Sequence, residues 1–520
     1  MIFSEPFFLF LFLPLSCLIF HAVGKRFGQT GALATIFIMS LIFYLPWGWW
    51  MTGILAASVI VNYISASLML WLPDNRKHAR AALLVAGELY NILTLIWFKY
   101  NVFDDLFGNH ADMQSGAWII PVGISFYSFQ QAALLADAYA REKTVTKFFG
   151  QLSTLKEHIS SFVKYAAFVI FFPQLVIGPI IYMKEFEPQI ANKRFGRIEF
   201  RNFAIGFALV AIGLFKKIVI ADNLAPGAEG VFSSAAQGIE MHPIAAWIGV
   251  ACYYLQLYFD FSGYTDIALG LARIFGIRYP INFFSPFKAV GIIDYYRRWH
   301  MTLTRVISRF LFTPLSIAGT RFAAQRRLPA LLAKLIGLWL PLMINFEVIG
   351  LWHGALSTFV LFGIIHGTWY VVETEVRTSK RWKAWKRKTP DWRRAIYGRI
   401  VIIALMPLTF ALFRADSIST FGFLLEQLFA GNWAADFGIS VRVIPFILFG
   451  FFIVYFLPNS VELLKNYRPG IMTFANKSYG PNLFKFCWRP NWGWSVLFGS
   501  AFVVCLYYAY RQPPFLYQGF

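Results

Sequence analysis

Apolar runs of about twenty residues, each long enough to cross a bilayer, recur along the 520-residue chain between short charged segments. Residues 5–23 and 31–49 form two such runs, parted by Lys25 and Arg26, and the second leads into the aromatic PWGWW. Met1–Phe20 mimics a signal peptide, but it carries Glu5 and no small-residue cleavage site precedes Lys25, so it reads as an uncleaved span. Runs at 51–72 and 81–98 follow, with Arg76, Lys77 and Arg80 between them and the acidic FDDLFGNHAD (103–112) after them. The next run, 117–138, returns to Arg141, Lys143 and Lys147. Because Lys- and Arg-rich loops stay in the cytoplasm, this alternation orients each run.

The run at 161–182 departs from the alternation. Lys147 and Lys156 precede it and Lys184, Lys193, Arg194 and Arg197 follow, so a single crossing would export one basic cluster. A re-entrant or in-plane hairpin at FFPQLVIGP, bent at Pro173, Gly178 and Pro179, keeps both clusters inside. Irregular backbone at that depth must be buried in protein or line a watery cavity. Runs at 203–222, 243–261, 330–351, 355–375, 396–413, 441–463 and 492–511 bring the expected total to twelve, with both termini outside. ADNLAPGAEG (221–230) is expected as an outer loop and 279–328 as a cytoplasmic-leaning stretch. Beyond 375 lies the most basic loop, where interleaved Trp382, Trp385 and Trp392 predict an amphipathic helix on anionic headgroups. With no repeat and no soluble segment, 1–520 reads as one all-α, polytopic, membrane-embedded domain.

Composition sharpens this picture. Hydrophobic residues make up 58% of the chain and charged residues only 14%, against about a quarter charged in soluble proteins. The net charge of +21 is explained by basic cytoplasmic loops, and no nucleic-acid partner is expected. Cys17, Cys252, Cys487 and Cys505 have neither disulfide-framework nor metal-ligand spacing.

Three polar clusters interrupt apolar or interfacial sequence. In YYLQLYFDFSGYTDIALGLARIFG (253–276), Gln256 and Asp260 share one helical face, as do Asp266 and Arg273; pairing that holds a bundle together explains them as well as function does. In the second, Asp294 to His300 with Arg305 and Arg309, the arginines fit cytoplasmic anchoring. They fit equally a face that receives a phosphorylated donor such as coenzyme A. The third, Asn345–Tyr370, carries Glu347, His353 and His366 in otherwise apolar sequence. An ionisable side chain at bilayer depth is costly and marks function by default, although a hydrogen-bonded structural histidine is the competing reading. Gly350 and Gly354 bracket His353 and suit a helix break or close packing. HExxH, G-x-S-x-G and Walker patterns are absent, so neither a metal nor a bound cofactor is expected. If the chain is an enzyme, a substrate brings the nucleophile and a histidine acts as base.

PVGISFYSFQ (121–130), FFPQLVIGPI (171–180), GLFKKIVIADNLA (213–225), QLYFDFSGYTDIALGL (256–271), INFFSPF (281–287), RRWHMTLT (297–304), GLWHG (350–354), HG (366–367) and PFLYQGF (514–520) occur in that order. In these the chain resembles the membrane-bound O-acyltransferases, in particular the bacterial branch with alginate O-acetyltransferase and the teichoic acid D-alanyl transferase. Tyr295-Tyr296 stands where that family commonly has Phe-Trp, Val306 replaces an aromatic, and the interval from His300 to His353 is longer.

The resemblance, with its signature region at about 115–370, implies acyl transfer in a membrane-embedded funnel or tunnel. His353 would be the catalytic residue and His300 its polar partner; Arg297, Arg298, Asp260, Gln256, Asp266, Glu347 and His366 are candidates for donor binding or tunnel lining. An acyl thioester, acetyl-CoA or a carrier-protein thioester, would donate from the cytoplasm. A periplasmic or membrane-anchored acyltransferase partner, or a polysaccharide, would receive the group outside a bacterial inner membrane. Acetyl transfer is favoured; D-alanyl transfer to teichoic acid, a flippase for an anionic substrate and a non-catalytic scaffold are the alternatives. One tension stands: 330–351 and 355–375 meet at His353, which puts it near the outer face, so a tilt, a break at Gly350 or a thinned centre is expected.

Overall fold

A computed structural model describes residues 1–100, 120–149, 154–472, 486–509 and 515–516. The acidic segment 103–112 and most of PFLYQGF lie outside the described residues. The described chain is all α, with only an isolated bridge between Pro280 and Ile471 outside helices and loops. Its residues form two compact units. Met1–Ala211, Tyr264–Pro280 and Pro469–Ile471 make one; Ile212–Gly263, Ile281–Arg468 and the described part of Met472–Phe520 make the other.

Among the described residues seven helical runs are long and apolar enough to cross a membrane: Phe8–Trp47, Trp49–Trp71, Lys77–Tyr100, Phe200–Ala236, Pro243–Ile274, Ala330–His353 and Asp391–Arg414. Shorter apolar helices occur at Ile418–Ala430, Val441–Phe456 and Trp492–Tyr508. The long runs keep apolar side chains outward, such as Leu18 at 68% and Val85 at 55% exposure. Tryptophans at helix ends, Trp49, Trp71 and Trp492, are at least 80% exposed, as an interfacial belt requires. The protein is a multi-pass membrane protein.

Several expected boundaries shift. The first two runs are two helical segments that meet directly at Gly28, whose φ of 66° and ψ of −154° are non-helical, a conformation open to glycine. ADNLAPGAEG is not a loop but begins the helix Asp222–Ala236, entered through a π-helical turn at Phe215–Ala221. The first of its two glycines serves packing instead of a turn, since a Cβ at Gly227 would meet Cys252 Sγ at 2.8 Å. Helix Ser357–Thr378 forms where a run is expected, and Lys380–Lys388 is helical, its cations exposed and the rings of Trp382 and Trp385 tilted against each other with centroids 4.7 Å apart.

In the first unit the 161–182 run is broken. Helix Leu155–Ile170 stops at Phe171, a single turn covers Phe172–Leu175, and irregular chain reaches helix Met183–Ile190. All of 165–183 is buried, and several of its polar groups are paired within the protein. Ser40 Oγ accepts from Phe172 N at 3.0 Å, Tyr264 Oη from Ile177 N at 3.3 Å, and Gln130 Nε2 donates to Phe168 O at 3.0 Å. Gln174 Nε2 donates to Gln130 Oε1 at 2.8 Å, joining two of the sequence motifs. Gly123 lies so close to Leu175 that a Cβ would sit 2.0 Å from its carbonyl oxygen.

Candidate active site

The second unit holds a cavity of about 40 Å³, room for one or a few waters. His300 and His353, with Tyr296 and Thr304, supply its polar groups; aromatic and aliphatic side chains supply the rest. Each wall follows from helical spacing: Leu257 and Phe261, Ile349 and His353, and Phe410 and Phe413 stand four, four and three residues apart, each pair on one helix face.

His353 is the last residue of helix Leu340–His353, which ends because Gly354 adopts φ 158° and ψ −177°, a conformation essentially confined to glycine. The helix is not broken at Gly350. Instead Gly350 and Gly363 bring it against helix Ser357–Thr378: a Cβ at Gly350 would lie 2.4 Å from Phe359 O and 3.6 Å from Gly363 Cα. The half-buried imidazole is framed by Trp352 at 4.6 Å, Phe413 at 4.7 Å and Phe359 at 6.1 Å between ring centroids. Trp352 also approaches the His300 ring, at 6.0 Å.

His300 precedes helix Met301–Ile307 in the left-handed conformation, φ 44° and ψ 49°, which costs a non-glycine residue about 1–2 kcal/mol. Buried Asn282, from the INFFSPF motif, holds it there. Asn282 O accepts from Met301 N at 2.9 Å; Asn282 Oδ1 accepts from Thr302 N at 3.1 Å and from Thr302 Oγ1 at 2.9 Å, and lies 3.2 Å from His300 Nδ1. A backbone N–H can only donate, so the amide atom facing Thr302 is the oxygen, and Nδ1 of His300 must carry its proton. Nε2 is left as the basic nitrogen. His300 lies between the spans, and burial pushes its pKa down to about 3, so the ring is neutral. Phe261 meets it edge-on at 4.8 Å.

The other residues singled out in the sequence take different places. His366 is fully buried behind the cavity wall, its Nδ1 2.8 Å from Tyr296 Oη. Glu347, on the His353 helix, packs over Gly363 and is not a lining residue. Arg298 is buried and tied into the fold, donating from Nε to Asp294 at 3.0 Å and from Nη1 to Phe284 O at 3.3 Å, whereas Arg297 is exposed. Asp260 pairs with Lys217 at 2.7 Å and half-buried Gln256 lies off the cavity. Asp266 is buried in the other unit. Sequence reasoning missed Tyr296, Thr304 and Asn282 as site components, although all three fall within or beside quoted motifs.

A polytopic helical membrane protein with two histidines on one enclosed, aromatic-walled cavity is the class that fold and site define. Residues 41–367 match the model of the MBOAT, membrane-bound O-acyltransferase family. The chain belongs to that family. It is 35% identical over 342 residues to the peptidoglycan O-acetyltransferase of Helicobacter pylori, covering 61% of this chain and 62% of the relative. With the probable alginate O-acetylase AlgI of Pseudomonas aeruginosa it shares 32% over 354 residues, 65% of this chain and 62% of the relative. With the teichoic acid D-alanyltransferase of Bacillus subtilis it shares 26% over 346 residues, 65% and 82% respectively. The chain thus spans a little under two thirds of the length of the first two relatives.

Proposed function

We propose that the protein is a membrane O-acyltransferase that moves an acyl group, acetyl by preference, from a cytoplasmic thioester to the outer side of a bacterial inner membrane for O-acylation of a cell-surface polysaccharide. The observation that carries this reading is the meeting of the WHG and RRWH histidines, His353 and His300, on one largely apolar-walled cavity. In the reaction a hydroxyl oxygen attacks the thioester carbonyl carbon while its proton passes to the His353 imidazole. The carbon–sulfur bond then breaks, and the proton is returned to the departing sulfur. Neutral His300, its Nδ1 proton committed to Asn282, offers Nε2 as an acceptor that orients the hydroxyl. A partner acyltransferase on the outer side is the proposed relay between this site and the polymer.

The test follows radiolabelled acyl groups from acetyl-CoA, or from a carrier-protein thioester, into polysaccharide in membranes containing the wild-type protein or His353→Ala. Loss of at least 100-fold of the label at equal expression is expected for the variant; wild-type labelling by His353→Ala sinks the assignment. D-alanyl transfer is the second reading, favoured by the match over 82% of the Bacillus subtilis relative, and labelling only from a D-alanyl carrier thioester would select it.

A further inference from the structure

Tyr296 and His366 form a buried polar pair at the edge of the cavity. Tyr296 closes helix Ile292–Tyr296 and lines the cavity; its ring is held edge-on by Phe346 at 4.8 Å and Tyr295 at 6.0 Å. His366 does not line the cavity. It lies behind, at 0% exposure, stacked on the lining residue Phe362 one helical turn away, with 4.0 Å between centroids. The 2.8 Å contact from Tyr296 Oη to His366 Nδ1 joins the two.

The direction of that hydrogen bond follows from the other side of the imidazole. His366 Nε2 is buried and has no hydrogen-bond partner among the described residues. A neutral imidazole has one N–H, and placing it on Nε2 would strand a donor in an aromatic wall at about 1–3 kcal/mol. Stranded donors are also rarer in proteins than under-used acceptors. The proton therefore belongs on Nδ1, where it is donated to Tyr296 Oη. That arrangement leaves the phenolic proton of Tyr296 uncommitted on a residue that borders the cavity.

We propose that Tyr296 is a catalytic hydrogen-bond donor to the acyl carbonyl oxygen as it gains charge, and that His366 is the positioning residue that aims it. This rests on the acyl-transfer reading above. As the hydroxyl oxygen bonds to the carbonyl carbon, the carbonyl π pair moves onto oxygen. The Tyr296 proton stays on the phenol throughout and stabilises that oxygen, so no further reactant is required. A preorganised donor of this kind in a site that excludes water contributes about 10²–10³ in kcat.

The experiment measures kcat and KM for thioester consumption by the purified full-length protein with its acceptor, in wild type, Tyr296→Phe, His366→Leu and His366→Asn, alongside melting temperature. Tyr296→Phe keeps the ring and is expected to lose about 100-fold in kcat with KM within about threefold. His366→Leu should lose about 10-fold, and His366→Asn, whose amide N–H can stand near Nδ1, should recover most of it. A purely structural pair would instead lower melting temperature without this split between kcat and KM or this rescue. Tyr296→Phe retaining more than half the wild-type kcat, or His366→Leu equal to His366→Asn, overturns the proposal while leaving the acyl-transfer reading intact. A wild-type protein that consumes no thioester overturns both.

Discussion

At the scale of single residues, the site depends on Asn282 as much as on the histidines. One side-chain oxygen fixes a strained backbone at His300, the start of helix Met301–Ile307 and the tautomer of the ring. Asn282→Ala would strand the Thr302 N–H and the His300 Nδ1–H in a buried place, at about 2–4 kcal/mol together. The variant is expected to melt several degrees lower in detergent and to lose at least 10-fold in acyl transfer. Asn282→Asp keeps the acceptor and should hold more of its stability; equal melting of Asn282→Ala and wild type would remove Asn282 from this role. His353 is conspicuous in the sequence as an ionisable group in apolar surroundings, whereas His300, set among arginines, stands out through the RRWH resemblance. Asn282 was not legible, since nothing in INFFSPF announces that its amide reaches 18 residues along the chain. Arg298 was read as a donor-binding candidate from its charge alone, and only its ties to Asp294 and Phe284 reveal how it is engaged.

At the scale of elements, the position of His353 is set by the crossing of Leu340–His353 and Ser357–Thr378. Gly350 and Gly363 remove the Cβ atoms that would hold the backbones apart, and Gly367 admits Met343 and Phe346. Gly350→Ala places a methyl 2.4 Å from a backbone carbonyl, which cannot rotate away. The helices must part, at about 1–3 kcal/mol, and an imidazole three residues on moves with them. Because displacement by about 1 Å can cost about 100-fold in rate, Gly350→Ala should lower kcat more than it lowers melting temperature. Gly53→Ala is the control: nothing lies within 4 Å of its added Cβ, mid-helix, so it should leave activity unchanged and be neutral or stabilising. Equal effects at the two glycines would refute the close-packing argument. The apolar runs themselves were plain in the sequence, since about twenty apolar residues admit few other fates. Their junctions were not. Lys25 and Arg26 part the first two runs in the sequence, yet the break between the helices falls at Gly28, and ADNLAPGAEG reads as a loop, yet its Gly227 packs against Cys252 within a helix, because composition cannot say which neighbour a missing Cβ makes room for.

At the scale of the whole molecule, the chain returns late to meet residues placed early. In the second unit Lys217, on the π-helical turn, sits between Asp222 at 2.8 Å and Asp260 at 2.7 Å. Asp260 Oδ2 accepts the backbone N–H of Leu516 at 3.0 Å, and the Lys217 ammonium lies 4.7 Å from the centre of the Phe515 ring. Three sequence motifs thus converge on one buried ion cluster, distinct from the histidine cavity. Removing the cation is the most damaging change, for it leaves two carboxylates buried without their partner, at about 3–5 kcal/mol. Lys217→Met is therefore expected to reduce yield and melting temperature sharply and to expose the segment around Leu516 to protease. Asp260→Asn should be milder, since Lys217 and Asp222 remain paired and an amide oxygen can still accept from Leu516. The double variant Lys217→Met/Asp260→Asn should be more stable than Lys217→Met alone, because one unpaired charge has gone. Coupling of this sign in a double-mutant cycle identifies a shared cluster; strict additivity would mean that Lys217 and Asp260 act independently, and that residues 515–516 are held by their apolar contacts instead.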